Sequence, residues 1–565
     1  MSEPPQLETP LTAAIVLPAE LAAAPGALDR LLARIGEHVN PILVKETRQA
    51  LKSRQFTITF ALLLLFGWGW SMLGPAVFGP EIRYAPKGTA MFIGYYLILA
   101  FPLLVIVPFS AFRSLIGESE EGTYELIAIT TLRPSQIVSG KLASAGLQMA
   151  IYLSAIAPCV AFTYLLRGID FLTMALAIFF TVLASLGLSL CGLLLATLTT
   201  EKHWQVVLSV VGIIGLLFTF MVNCQLASGM ILMGGSAFGQ PGFWNAPAIF
   251  LMNYAGYFLL LFFAATAQLT FASDNRSTRL RIAMLIEHAI IVASLAWGWL
   301  ETDFPPDFFA VAALLLTLHW YVLGACMTAE SPGLSLRVRR RLPQSLLGRA
   351  VFTWFNPGPA TGYVFAVAAM LGMLAVVAIA AQFHPVSTAA APTAAFRPPV
   401  GRFEIAAFAM LCVSYLTIYL GLGLALIRAL RRICQVRRLL AILVQVLLVL
   451  LGTIVPFTIQ LSSPELRHLD YSYLQITNPF WTLFEALGHW GVLLTYDLLW
   501  VILPLAALLV FVLNLPAIAR EVGQVRVAKP VRVEEEDAQQ NALQPTRKDP
   551  WDDAFPASDG GPADA

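Results

Sequence analysis

Apolar residues in this chain come in long runs separated by short polar stretches, and the runs share one length. Each holds about 20 residues with almost no charge, which as helix crosses a hydrocarbon layer about 30 Å thick. Twelve such runs are legible, roughly at 57–79, 90–112, 141–166, 170–199, 206–233, 248–272, 283–300, 308–328, 361–382, 403–427, 439–461 and 490–514. The pattern predicts an all-α integral membrane protein with about twelve transmembrane helices, which divide as six plus six.

The polar stretches give the orientation. Positive side chains are retained on the cytoplasmic side of a membrane, so Lys and Arg in alternate loops test the topology. With the N-terminus inside, 29 of the 35 Lys and Arg residues fall in cytoplasmic segments and 6 outside. Both termini are therefore expected in the cytoplasm, and one missed or invented span would spoil the asymmetry. The net charge of +1 adds little, because the charges are sorted by side of the membrane.

Composition agrees with this reading: of 565 residues, 58% are hydrophobic and 12% charged. The six cysteines form no CxxC or Cys/His spacing suited to zinc or a disulfide framework, and read as small apolar fillers. No cleavable signal peptide is expected, the first span directing insertion. No nucleic-acid partner and no metal site is expected.

Residues 1–39 read as a largely disordered N-terminal segment, and 515–565 as an acidic, disordered cytoplasmic tail. Two units lie between them: 40–272 with six spans, and 273–514 with six more. A weak echo at a period of about 230 residues links the two, each with a longer cytoplasmic loop after its first span pair.

Two polar segments of the first unit stand out. After Asn40 and Pro41 comes ILVKETRQALKSR, in which positions 43, 47, 50, 51 and 54 form an aliphatic side and Lys45, Glu46, Arg48, Gln49 and Lys52 a polar one. Pro41 suits the first turn of a helix lying in the headgroup plane, basic side chains towards anionic lipid. The plainer reading is a juxtamembrane basic stop with no defined helix. The second segment, GESEEGTYEL, carries Glu118, Glu120, Glu121 and Glu125. On a helix Glu118, Glu121 and Glu125 share a face, and like charges so spaced cost about 0.2–0.5 kcal/mol per pair unless a positive group meets them. Three of the four are expected near a helix start, where the macrodipole offsets part of that cost. The plainer reading here is an acid-rich first turn in a solvated loop.

The longer string GESEEGTYELIAITTLRPSQIVSGKL resembles the cytoplasmic loop of type 2 ATP-binding-cassette (ABC) membrane subunits. There a Glu-x-Glu-x-Gly-Thr-x-Glu-Leu run precedes a Pro-containing turn and a Gly-Lys pair at the third span. The segment 40–54 likewise is similar to that family's interfacial helix, with matching positions at Asn40, Pro41, Lys45, Glu46, Arg48 and Arg54. The resemblance covers 40–272. It implies that a coupling helix at about 118–128 docks on a separate ATPase subunit, with Glu118, Glu120, Gly122, Thr123, Glu125 and Leu126 in motif positions. Glu121 departs from the pattern and makes that surface more acidic. It further implies dimerisation or pairing with a second permease. No GxxxxGK[ST] phosphate loop occurs. This chain is therefore expected to bind no cofactor itself, ATP and Mg belonging to the partner.

The second unit lacks the acidic run. Its corresponding loop is basic (LSLRVRRRLPQSLLGR, then FNPGPATGY), so it reads either as a degenerate repeat or as an accessory bundle. The alternative function is an ion-coupled secondary transporter with twelve spans, which needs ionisable groups inside the membrane. Its candidates are His319, Asp497 and the Glu287-His288 pair. His319 reads more simply as a packed histidine and Asp497 as a structural carboxylate. No HExxH or GxSxG motif supports an enzyme.

Overall fold

A computed structural model describes residues 40–79, 84–120, 132–198, 201–240, 242–271, 273–301, 307–383, 402–467, 471–488, 498–528 and 530–543. Twelve helices are long and apolar enough to cross a membrane: Arg54–Phe78, Gly88–Glu118, Pro134–Leu165, Phe171–Ala196, Lys202–Met233, Asn245–Leu269, Ser277–Gly298, Ala310–Thr328, Pro359–Val376, Ala406–Leu430, Arg438–Ser462 and Leu499–Val522. These are spans 1 to 12 below. No strand occurs among the described residues. The protein is an all-α, multi-pass membrane protein.

The most deeply buried helix of the first half is span 2, whereas in the second half spans 9 and 10 share that place. Span 2 is pinned at its middle by a π-helical stretch, Pro102–Ile106, where Pro102 supplies no N–H and the backbone bonding shifts. The hydroxyl of Ser185 on span 4 donates to the carbonyl of Leu103 in that stretch. In the second half spans 8, 9, 10 and 12 enclose a continuous core that includes Trp320, Tyr363, Phe408 and Leu420. The outer faces keep large apolar side chains exposed, such as Leu65, Phe66 and Met72 on span 1 and Leu447 and Ile454 on span 11. Those faces meet lipid tails, so their exposure carries no hydrophobic penalty.

Four expectations change. Span 12 runs over Leu499–Val522, about eight residues further along than its apolar pattern suggests, and a separate short helix, Pro479–Gly488, comes earlier in the chain. Asp497 lies outside the described residues. The tail contains a helix, Val531–Leu543, braced by an Arg532–Glu536 pair one turn apart. The interfacial helix stops at Leu51, since Ser53 starts a new helix by accepting a hydrogen bond from the Phe56 N–H at 3.1 Å, and Arg54 is the first residue of span 1. Finally, Glu118 and Glu120 sit in the last turn of a helix that continues unbroken from span 2, not in the first turn of a new one. All six cysteines are free thiols.

Candidate functional site

The helix Pro41–Leu51 is started by its own sequence. The Asn40 carboxamide oxygen accepts from the Ile42 N–H at 3.0 Å, and Pro41 fills a first-turn position where no N–H is needed. The same carboxamide donates to the Gln136 carbonyl at 2.6 Å, which ties the helix start to the first turn of span 3. Span 3 admits the helix closely because residue 140 is glycine. A Cβ there would lie 2.8 Å from the Ile42 Cβ and 2.9 Å from the Asn40 Nδ2.

Next to that glycine the contact becomes electrostatic. Lys141 is almost fully buried, and its ammonium lies 2.8 Å from Glu46 Oε1 on the interfacial helix and 3.1 Å from Glu118 Oε2 at the end of span 2. It also donates to the Ser114 hydroxyl at 3.3 Å. Lys45, half exposed, reaches the other oxygen of Glu118 at 2.7 Å. The order Lys45, Glu118, Lys141, Glu46 alternates in sign and sums to zero, so each buried charge has an opposite neighbour. Burial pushes the Glu46 carboxyl above its ordinary value, and Lys141 opposes that shift. The lysines also offset the cost of placing Glu118 at the negative end of a helix.

This arrangement revises the reading of two residues. Glu46 is not on the outward polar side of the interfacial helix. It is turned inward with Ile42, because Lys141 waits on span 3. Glu118 is also buried and bonded inward, whereas Glu120 is exposed. Arg48 is exposed as well. Glu121, Gly122, Thr123, Glu125 and Leu126 lie outside the described residues. Three stretches distant in sequence, the Asn-Pro helix, the first glutamate of the acidic run and the Gly-Lys pair, thus meet at one cytoplasmic joint.

The second half has a joint of its own, built from residues the sequence pattern did not single out. Arg281, wholly buried at the start of span 7, pairs with Glu330 at 2.9 Å and donates to the carbonyls of Trp354 (2.5 Å) and Gly358 (3.0 Å). Glu330 in turn accepts from the Gly358 N–H at 2.7 Å and the Ser277 hydroxyl at 2.6 Å. Glu521, from the end of span 12, accepts from the N–H groups of Ala360 and Thr361, both at 2.9 Å, where unpaired helix N–H groups favour a carboxylate. The Asn356-Pro357-Gly358 turn is held from both sides. A Pro-Gly turn amid a basic loop was the one available signal, since its partners lie on three distant spans.

The halves meet along spans 6 and 7. On the cytoplasmic side Glu201 pairs with Arg437 and Gln268 with Arg438. Arg437 holds the Glu201 carboxyl below its ordinary value. A cavity of about 810 Å³ opens there, with Arg276, Arg431, Arg432, Arg437 and Arg438 in its wall. Deeper in, Glu287 and His319 meet, a pair that sequence spacing alone could not bring together.

Fold and joints together define a multi-pass membrane protein in which helix ends on the side of the basic loops are clamped by buried charge. Comparison with models of known families, with characterised proteins and with solved structures returns no match for this chain.

Proposed function

We propose that this chain is the membrane-spanning permease subunit of an ABC exporter in the cell's cytoplasmic membrane. Substrate crosses by alternating access, driven by an ATPase subunit in trans. The observation that carries this reading is Lys141, which ties the interfacial helix and the end of span 2 to span 3 through Glu46 and Glu118. A push on the acidic loop that follows Glu120 is transmitted through this joint to the interfacial helix and to spans 2 and 3 as one body. A joint of paired, buried charges suits that task because it resists sliding: any shift in register separates charges that burial has already desolvated. A cytoplasmic joint in the second half is consistent with a partner that spans both halves.

Reversing Glu120 and Glu125 to Lys tests it. The variant is expected to insert normally and to lose co-purification of the ATPase subunit encoded with it. Unchanged co-purification would sink the docking assignment. A second reading, an ion-coupled transporter, is favoured by the Glu287–His319 pair. It predicts transport that persists when the ATPase is absent.

A further inference from the structure

Glu287 stands at the midpoint of span 7, His319 at the midpoint of span 8 and Tyr257 at the midpoint of span 6. The three come together. His319 Nε2 lies 3.0 Å from Glu287 Oε2, and His319 Nδ1 lies 3.0 Å from the Tyr257 hydroxyl. Glu287 is 1% exposed, and neither of its carboxylate oxygens has an aligned hydrogen bond, although the imidazole is at ion-pair distance. Gly256 lets the helices approach at this level, since a Cβ there would lie 3.4 Å from the Glu287 Cγ and 3.1 Å from Ile290 Cδ1. The remaining titratable neighbour is His288, whose Nδ1 accepts from the Trp320 indole at 3.2 Å. Span 9 packs the Phe365 ring against Trp320, and Arg281, two turns along span 7 from Glu287, is committed to Glu330. No set of three or more His, Cys, Asp or Glu side chains suited to a metal ion occurs among the described residues.

A carboxylate at the centre of the bilayer is costly, and such groups mark ion or proton pathways. With one proton added to the carboxylate and the neutral imidazole, Glu287 and His319 sum to zero charge, whether that proton rests on the ring or on Oε2. The hydroxyl of Tyr257 donates to Nδ1 when the imidazole carries its hydrogen on Nε2 alone and accepts from Nδ1 once that nitrogen is protonated, so span 6 senses the state of spans 7 and 8. A crevice leads inward and stops one helical turn short of Glu287. A cavity of about 150 Å³ enters between the cytoplasmic ends of spans 6, 7 and 8, past Glu330, and reaches Leu280, Met284 and Cys326. Leu280, Met284 and Glu287 share one helix face, and Met284 is a single turn from Glu287.

We propose that Glu287, His319 and Tyr257 form an exchangeable proton site at the seam between the two halves, loaded from cytoplasmic water through this crevice. Uptake places a proton from hydronium on the Glu287 carboxylate oxygen and leaves a water molecule in the crevice. Release reverses that transfer. The inference stands whether or not an ATPase drives the chain, because it concerns proton binding and not the source of energy.

Infrared difference spectra of the full chain in lipid nanodiscs, recorded against pH, read it directly. A C=O stretch of a protonated carboxylic acid is expected to grow on acidification and to be lost in Glu287→Gln. In His319→Gln its midpoint should move by about one pH unit or more, the usual effect of removing a charge at this distance. Met284→Trp, which narrows the crevice, should slow the H/D shift of that band at least about tenfold with little change in midpoint, since a tenfold rate change needs about 1.4 kcal/mol of added barrier. A band that survives in Glu287→Gln, or spectra identical in wild type and Glu287→Gln, would mean a fixed structural pair and overturn the proposal. Should Glu287→Gln fail to insert, an unmoved midpoint in His319→Gln overturns it equally.

Discussion

Replacing Lys141 with methionine keeps the length of the side chain and removes its charge. Two buried carboxylates, Glu46 and Glu118, then lose the cation that lies 2.8 and 3.1 Å away. At such distances and an effective dielectric near 20, each pair gains on the order of 5 kcal/mol of Coulomb energy before desolvation is subtracted. Most of that gain offsets the burial of the ions, yet breaking a buried pair from one side still costs about 3–5 kcal/mol, because the stranded charges remain. Lys45 continues to hold Glu118, so the uncompensated group is Glu46. The loss should appear as local opening of the helix Pro41–Leu51. Amide hydrogen exchange across that helix, measured by mass spectrometry on the full chain in nanodiscs, should therefore accelerate by about two to three orders of magnitude, at 1.4 kcal/mol per decade. Exchange in spans 8 and 9 should not change. Adding Glu46→Gln removes the stranded charge and should recover most of the protection. An acceleration below about threefold, or no recovery in the double variant, would refute the claim that charge holds this joint.

Gly140→Leu should undock the same helix without altering any charge, since even a Cβ at this position collides with Ile42, and overpacking costs about 1–3 kcal/mol or more. Amide exchange across Pro41–Leu51 should accelerate as it does in Lys141→Met. Arg281→Met strands Glu330 and removes the donor to Trp354 and Gly358, at a cost of about 3–5 kcal/mol. Denaturant unfolding in mixed micelles should show the second half opening first. The Glu201–Arg437 contact depends on pH with a definite sign. Its carboxyl lies below the ordinary value in the folded chain, so the contact contributes fully above pH 4.5 and is lost as pH falls through the lowered value. Exchange at residues 201–205 should rise only in that acidic window, and high salt should reduce the effect because the pair is exposed.

What the sequence could reveal follows from what is local in it. The spans were legible because crossing a bilayer imposes length and polarity on each segment separately, and eleven of the twelve fall within several residues of their apolar runs. Span 12 reaches Val522 and not 514 because the apolar run continues through LPAIA up to Arg520 and Pro516 does not stop the helix. The start of the interfacial helix was equally legible, since an Asn cap and a first-turn Pro act within a few residues. Its inward face was not. Glu46 and Lys45 are adjacent and similarly polar, and only Lys141, on span 3, decides that one is buried and the other half exposed.

The candidate sites divide in the same way. The sequence by itself determined that this is a helical membrane protein with its basic loops on one side and an acidic run flanked by two recognisable polar segments. Tertiary structure alone decided that Glu118 faces inward, that Arg281, Glu330 and Glu521 hold the Asn-Pro turn of the second half, and that Glu287 meets His319 at mid-depth. The physical reason is that a span's composition is set by lipid, which acts on every residue at a given depth alike. The partner of a buried charge is set by which helix packs beside it, and that information is spread over segments far apart in the chain.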